Sequence, residues 1–201
     1  QMEWGQHRTW AEISLGALEH NYRSLRAMLP DGCRLLGVVK ANAYGHGAVE
    51  FASMMQAEGA DYLAVALPLE GVELRSHGVS LPILVLTAGT DFFPEIIDYR
   101  LEPGIPNMYT LKALCEELAS RGLKNFPIHI KLDSGMHRLG FMSSELPELM
   151  DFLAGHDEVK VVSLYSHLAA AEAPEEDEFT LSQIALFQSA ASTLSESLGY
   201  R

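Results

Sequence analysis

One lysine of this chain has a sequence context in which its amine could act as a nucleophile. Lys40 ends a short apolar segment, 35–39 (Leu-Leu-Gly-Val-Val), and Gly45 and Gly47 follow within seven residues. A short apolar run bounded by glycine is typical of a strand buried on both faces, as in parallel sheets. Burial lowers the pKa of a lysine, and a neutral amine can attack an aldehyde to form a Schiff base. The competing interpretation is a lysine whose stem packs at the strand end while its charge reaches water.

Two further polar side chains follow predicted strands. Arg138 comes after an apolar strand and a tight Asp-Ser-Gly turn at 133–135, and His167 ends the next predicted strand. A guanidinium binds carboxylates bidentately and keeps its charge, which suits it to an anionic ligand. The alternatives are a surface salt bridge for Arg138 and a hydrogen-bonded core histidine for His167. Barrel enzymes place their sites at the carboxyl ends of strands, where all three side chains are predicted to lie.

Strand patterns and amphipathic helix patterns alternate along the chain, which predicts an α/β protein with a parallel sheet. No GxGxxG sequence follows an early strand, so an open dinucleotide-binding sheet is disfavoured. Site residues at strand ends favour a (β/α)8 barrel of the TIM type. About six βα units are present, too few to close such a barrel. The strand candidates are 35–40, 62–67, 83–87, 101–105, 128–133 and 161–166.

Apolar residues at helical spacing predict at least four helices between these strands. Ser14 is the predicted N-cap of the first helix and Thr180 that of the last. Gly122 is predicted to end a helix in a left-handed conformation. The four apolar stripes begin at Leu18, Leu111, Leu146 and Ile184.

Segment 38–47 (VVKANAYGHG) resembles the pyridoxal-phosphate lysine motif of alanine racemases. Segment 130–141 (IKLDSGMHRLGF) resembles the K-x-D-(S/T)-G-M-x-R-x-G segment of that family, and 165–172 (YSHLAAAE) resembles the end of its next strand. Three strand-end motifs in the right order make the resemblance specific, and it extends over roughly residues 8–198.

The resemblance implies site residues and a cofactor, pyridoxal 5′-phosphate. It implies that Lys40 forms the Schiff base and is one of two catalytic bases, and that the Tyr44 hydroxyl helps to hold the cofactor phosphate. By the same resemblance Arg138 binds near the cofactor phenolic oxygen and meets the substrate carboxylate, while His167 packs against the pyridine ring. In some family members the lysine that matches Lys131 is carbamylated and positions the arginine. No metal is expected.

The resemblance also implies the activity and the assembly: an isomerase that interconverts L-alanine and D-alanine, supplies D-alanine for peptidoglycan and works as a homodimer. Chains of this family are much longer. Residues 15–201 would then be an incomplete cofactor-binding barrel, and residues 1–14 would include a strand, 8–13, that pairs with a C-terminal β domain outside this sequence. A tyrosine of that domain is the expected second base, so residues 1–201 alone are expected to be inactive.

Composition excludes several classes of protein. The 201 residues are 48% hydrophobic and 20% charged, which is ordinary for a globular enzyme. A net charge of −13 argues against nucleic acid and anionic membranes as partners. No apolar run reaches the roughly 18 residues needed to span a bilayer, and no signal peptide is apparent. Cys33 and Cys115 lack CxxC-type companions, which fits a reducing cytoplasm.

Two other functions remain open from the sequence. One is a different pyridoxal-phosphate barrel protein, either a decarboxylase-like enzyme or a non-enzymatic cofactor-homeostasis protein. Segment 42–47 (NAYGHG) disfavours both, since their sequences usually diverge directly after the lysine region. The other is a barrel fragment that binds cofactor poorly and is inert by itself. By the resemblance, the pocket that selects the amino-acid side chain would be completed by residues outside this sequence.

Overall fold

A computed structural model describes residues 9–199, in which parallel strands alternate with helices. One short element, α2, is a left-handed helical turn and is treated with the site below. In chain order the elements are α1 (Leu15–Ala27), β1 (Leu36–Val38), α2 (Lys40–Tyr44), α3 (Ala48–Ala57), β2 (Tyr62–Val65), α4 (Pro68–Ser76), β3 (Ile83–Val85), α5 (Phe93–Asp98), β4 (Glu102–Ile105), α6 (Met108–Ser120), β5 (Phe126–Lys131), α7 (Leu146–Ala154), β6 (Val159–Tyr165) and α8 (Asp177–Leu198), with 3-10 turns at Thr90–Phe92, Ser143–Glu145 and Pro174–Glu176.

All six strands lie in one sheet, in the order β1-β2-β3-β4-β5-β6, and every neighbouring pair is parallel. Each strand therefore pairs with the next one along the chain, which is the arrangement of a (β/α) barrel. Within residues 9–199, β1 and β6 each pair on one side only, so the sheet is an arc of a barrel. All six predicted strands are present. The first is shorter than predicted and ends at Val38, because the chain turns left-handed soon after it.

The helices pack closely on the outer face of the sheet. At Gly37 of β1, a Cβ atom would collide with the end of the Met55 side chain in α3, so a larger residue would require this flexible side chain to move. Side chains alternate across a strand, so Leu36 and Val38 point to the inner face. They are 38% and 39% exposed, which means that the inner face of the arc is open at β1.

The helix ends agree with the capping predictions except at the last helix. The Ser14 hydroxyl accepts a backbone N–H of the first turn of α1 at 3.2 Å, and Gly122 follows α6 with φ 66°. Thr180 is not an N-cap, so that prediction is wrong. The last helix begins earlier, at Asp177, because a 3-10 turn that starts at Pro174 leads directly into it. An acidic residue in the first turn also favours this start.

The predicted N-terminal strand covers residues 8–13. Arg8 lies outside the described residues, and residues 9–14 form neither helix nor strand within this chain. The pairing of this segment with a further domain stays a prediction. In the part of the chain that the structure describes, no helix is long and apolar enough to cross a bilayer.

Candidate active site

Lys40 lies just beyond the carboxyl end of β1. The backbone N–H of Val39 still donates to the carbonyl oxygen of Ala64 at 2.8 Å, so the hydrogen-bond ladder with β2 continues up to the residue before Lys40. The Val39 side chain is buried and Lys40 is half-buried. The amine therefore lies at the edge of the sheet where the carboxyl ends of the strands meet.

The chain leaves Lys40 through the left-handed turn α2. Residues 41–44 all have φ between 51° and 56°, and none is a glycine. The turn is closed by helical hydrogen bonds, such as that from the Ala43 N–H to the Val39 carbonyl at 2.9 Å. Each L-residue in this region costs roughly 1–2 kcal/mol. Four in succession therefore need strong support from the surrounding structure.

Part of that support comes from the turn itself and the residues that follow it. The Asn42 side-chain oxygen accepts the backbone N–H of Ala48 at 2.8 Å, which ties the turn to the start of α3. Gly45 and Gly47 follow with φ 88° and 92°, a region that favours glycine.

Further support comes from Glu70 in the first turn of α4. Its Oε1 accepts the backbone N–H of Ala41 at 2.6 Å. Its Oε2 accepts the N–H groups of Ala66 and Leu67 at 2.7 and 3.0 Å. Sequence reasoning missed this residue. The local signal, a proline at 68 and an acidic residue two positions later, indicates only a helix start.

Tyr44 ends the left-handed turn and lies beside Lys40. The centroid of its ring is 6.0 Å from the Lys40 Nζ, within the range of a cation–π contact. The residue is 61% exposed. Its hydroxyl is therefore accessible to a ligand at the strand ends.

Lys131 ends β5 and is buried, with 9% of its surface exposed. Its Nζ donates to the carbonyl oxygen of Leu132 at 3.1 Å and lies 5.3 Å from the centroid of the Tyr165 ring. Burial lowers the pKa of Lys131; Asp133 opposes this shift and the charge of Arg138 adds to it. The guanidinium of Arg138 therefore acts electrostatically on Lys131, although Arg138 is itself exposed.

Asp133 fixes the shape of the loop that carries Arg138. Its Oδ1 accepts the backbone N–H groups of Gly135 and His137, each at 3.0 Å. Burial raises the pKa of Asp133, but these hydrogen bonds outweigh it and the pKa lies below its usual value. The loop closes where the Asp133 N–H donates to the carbonyl of Phe141 at 2.9 Å.

His167 lies on the loop after β6. Polar side chains connect this loop to the loop after β5. The hydroxyl oxygens of Ser134 and Ser166, one from each loop, are 2.7 Å apart. Gln183 of α8 is fully buried; its side chain accepts the Ala169 N–H at 3.0 Å and donates to the His167 carbonyl at 3.3 Å. These hydrogen bonds hold the backbone of the loop, whereas His167 itself is exposed to solvent.

The four predicted site residues form two groups. Lys40 and Tyr44 follow β1, whereas Arg138 and His167 follow β5 and β6. In the described residues no hydrogen bond or ion pair joins the two groups. All four lie on the carboxyl side of the strands, so a ligand that contacts all of them must extend across the mouth of the arc.

Comparison with known proteins identifies the family. The family model described as "Alanine racemase, N-terminal domain" matches residues 13–201. The alanine racemase of Synechocystis sp. is 39% identical over 173 residues, which cover 84% of this chain and 46% of that protein. Alanine racemase 1 of Oceanobacillus iheyensis is 39% identical over 194 residues, 95% of this chain and 50% of that protein. The alanine racemase structure from Clostridium difficile 630 has a TM-score of 0.89 at 33% identity and covers 96% of this chain and 53% of that chain.

This chain belongs to the alanine racemase N-terminal domain family. Its parallel six-stranded sheet with alternating helices matches the barrel-like domain of the family, which confirms the predicted fold class. The chain spans about half the length of the curated relatives that it matches. A further structure, of the Clostridium difficile 630 alanine racemase in complex with cycloserine, also has a TM-score of 0.89.

A polar network surrounds the buried His129, two residues before Lys131 on β5. His129 Nδ1 is 2.6 Å from the Ser163 hydroxyl, and its Nε2 is 2.8 Å from Oε2 of Glu102. The Tyr62 hydroxyl donates to the same carboxylate oxygen at 2.8 Å, and burial and that carboxylate raise the pKa of Tyr62. The network joins β2, β4, β5 and β6 below the strand ends, and sequence reasoning did not identify it.

Proposed function

We propose that this chain is the cofactor-binding part of an alanine racemase, an isomerase that interconverts L-alanine and D-alanine with pyridoxal 5′-phosphate. Membership of the family supports this proposal. The observation that carries it is the position of Lys40, a half-buried amine at the carboxyl end of β1 that a strained left-handed turn holds in place. A lysine that merely reached solvent would not require such a turn.

The side chains at the sheet edge fit pyridoxal phosphate in their chemistry. Lys40 offers a primary amine for the aldehyde, and Tyr44 offers an exposed hydroxyl for the phosphate. Arg138 offers a guanidinium for anionic oxygens, and His167 an exposed imidazole for the pyridine ring. When bound, the cofactor supplies the electron sink that stabilises negative charge on the substrate Cα.

The protein residues then have separate tasks. Lys40 moves a proton to and from the substrate Cα on one face, as a general base and acid. Arg138 binds the substrate carboxylate, and Lys131, if carbamylated, orients Arg138. Racemisation also needs a base on the opposite face. We propose that this base is a tyrosine outside the present sequence, in the C-terminal β domain of a longer homodimeric protein.

The same proposal gives the cellular role. D-alanine made by this reaction would enter peptidoglycan, and the two cysteines fit a reducing cytoplasm. Free alanine is the proposed partner. The net charge of −13 disfavours nucleic acid and anionic membranes.

Reductive labelling tests the assignment of Lys40. The natural gene product that contains this sequence is incubated with pyridoxal phosphate, reduced with borohydride and mapped by mass spectrometry. We expect the pyridoxyl group on Lys40, no labelling there in Lys40→Ala, and racemisation of both alanine enantiomers by the parent only. An adduct on Lys131 or Lys160 in place of Lys40 would reject the assignment.

A further inference from the structure

Glu70 makes more contacts than a helix start requires. Two of its three hydrogen bonds, from the N–H groups of Ala66 and Leu67, belong to the first turn of α4 and the end of β2. Such bonds from an acidic residue near a helix N-terminus are common. The third, from the Ala41 N–H at 2.6 Å, crosses to the neighbouring strand end and has no capping role.

The third bond acts on the peptide group that follows Lys40. Ala41 is the first of the four left-handed residues, whose conformations together cost about 4–8 kcal/mol. A hydrogen bond to the Ala41 N–H fixes the plane of the Lys40–Ala41 peptide. Because that plane determines ψ of Lys40, it also limits the direction in which the Lys40 side chain leaves the backbone.

The contacts of Glu70 also indicate that its carboxylate acts by orienting backbone groups. Within residues 9–199 the ion pairs do not include Glu70. Both of its oxygens are instead occupied by backbone N–H groups from the ends of β1 and β2. A neutral amide has one acceptor oxygen and one donor nitrogen, so glutamine can serve only one side of this bridge.

We propose that Glu70 is a positioning residue for Lys40: it bridges two adjacent strand ends, stabilises the left-handed turn and so presents the amine for reaction with the cofactor aldehyde. This inference rests on the proposed function, because it assigns Glu70 a role in the reactivity of Lys40. It predicts that the effect of losing Glu70 depends on the cost of the left-handed conformation at Ala41.

The main experiment uses the natural gene product, freed of cofactor, and the variant Glu70→Gln. Pyridoxal phosphate is added, and the absorbance of the lysine-bound form is followed over a range of pH, together with the melting temperature. We expect the bond to Lys40 to form about tenfold more slowly, as for the loss of one hydrogen bond to a charged group, with a changed pH profile. The control Glu73→Gln removes the same charge from an exposed position of α4 and is expected to behave as the parent.

A double-mutant cycle separates positioning from general support of the fold. Ala41→Gly removes the steric cost of the left-handed conformation, because glycine adopts positive φ freely. In the Ala41→Gly background, Glu70→Gln is expected to slow the reaction by less than about threefold, compared with about tenfold in the parent. This difference would show that the two substitutions are energetically coupled. An equal tenfold effect in both backgrounds would mean that Glu70 does not act through the turn, and the inference would be rejected.

A second variant covers the case in which Glu70→Gln does not fold. In Glu70→Asp the shorter carboxylate can stay near Ala66 and Leu67 but cannot also reach Ala41. We expect Glu70→Asp to react with pyridoxal phosphate more slowly than the parent at a nearly unchanged melting temperature. A rate equal to that of the parent would contradict the inference.

Labelling of Lys40 separates failure of this inference from failure of the proposed function. If the parent itself is not labelled on Lys40, the proposed function fails and this inference with it. Labelling of the parent with an equal rate in Glu70→Gln rejects this inference alone.

Discussion

The side-chain amide of Gln183 donates to the backbone carbonyl of His167 at 3.3 Å, from a position in α8 with no solvent exposure. The same side chain accepts the Ala169 N–H at 3.0 Å, so it satisfies two backbone groups of one loop. A Cβ atom on Gly135 would lie 3.2 Å from the Gln183 Cγ, which shows that the loop after β5 packs against this side chain as well. Gln183 thus joins the two loops that carry Arg138 and His167.

The first prediction follows from this contact. Gln183→Leu keeps much of the volume but leaves the Ala169 N–H and the His167 carbonyl without partners. A fully buried group left without a partner costs ~1–3 kcal/mol; these two groups are partly buried, so we expect the free energy of unfolding to fall by about 1–3 kcal/mol in total. Urea denaturation measures this. Gln188→Leu, at an exposed position of the same helix, is the control. Equal stability of the two variants would show that water satisfies the loop without Gln183.

A second prediction concerns the pH dependence of stability. Burial makes the pKa of Lys131 lower in the folded chain than its usual value of 10.5. Between these two pKa values the unfolded chain binds more protons, so the free energy of unfolding due to this group rises with pH. At pH 7 the buried ammonium is therefore destabilising. Lys131→Met is expected to raise stability at pH 7, and this advantage should shrink as the pH approaches 10.

The measurement is urea denaturation of parent and variant between pH 7 and 10 in carbonate-free buffer, because a carbamylated lysine would not titrate as an amine. Lys160→Met, at an exposed position of β6, is the control for loss of a lysine. A gain in Lys131→Met that is the same at every pH would show that the ammonium is well solvated or paired in the folded protein.

Much of the fold follows from short-range patterns in the sequence. The strand β5 was predicted from alternating apolar residues at 128, 130 and 132, and the helices α6 and α7 on either side of it from apolar residues that recur at a period of 3.6 residues. Strand order follows as well, since consecutive parallel strands joined by helices usually lie side by side. The N-cap of α8 was predicted at Thr180, four residues after the observed N-cap Glu176, because a hydroxyl side chain was preferred as a cap over the turn that precedes Asp177.

The candidate site was predicted only in part. The four predicted residues were placed at strand ends by motif and position, but the left-handed turn after Lys40 was not foreseen. Steric preference assigns positive φ to glycine, and residues 41–44 include none. Part of the support for their conformation comes from Glu70, which is 29 positions away from Ala41 in the sequence. Gln183 was missed for the same reason, since its partners lie on a loop 14 and 16 positions earlier.

A third prediction concerns the substrate. Arg138→Ala in the natural gene product is expected to lower kcat/KM for alanine by about ten- to hundredfold, as for the loss of a hydrogen bond between charged groups, while labelling of Lys40 persists. Arg138→Lys should restore part of the loss, since an ammonium keeps the charge without the planar fork. The control is Arg34→Ala at an exposed position before β1. Unchanged kinetics in Arg138→Ala would place this guanidinium outside the site.

The last prediction concerns residues 1–201 as an isolated polypeptide. Racemisation requires a proton to be removed from one face of the substrate Cα and delivered to the other, and we assign only Lys40 to this task. Within the described residues β1 and β6 also have unpaired edges, which favour association with other chains. We therefore expect no racemisation of L-alanine or D-alanine by this polypeptide with added pyridoxal phosphate, even where borohydride labels Lys40. The assay is polarimetry or chiral chromatography on fractions that size-exclusion chromatography shows to be free of aggregate. Turnover near that of the natural gene product would require a second base within these residues, and Tyr44, beside Lys40, would then be the first residue to replace.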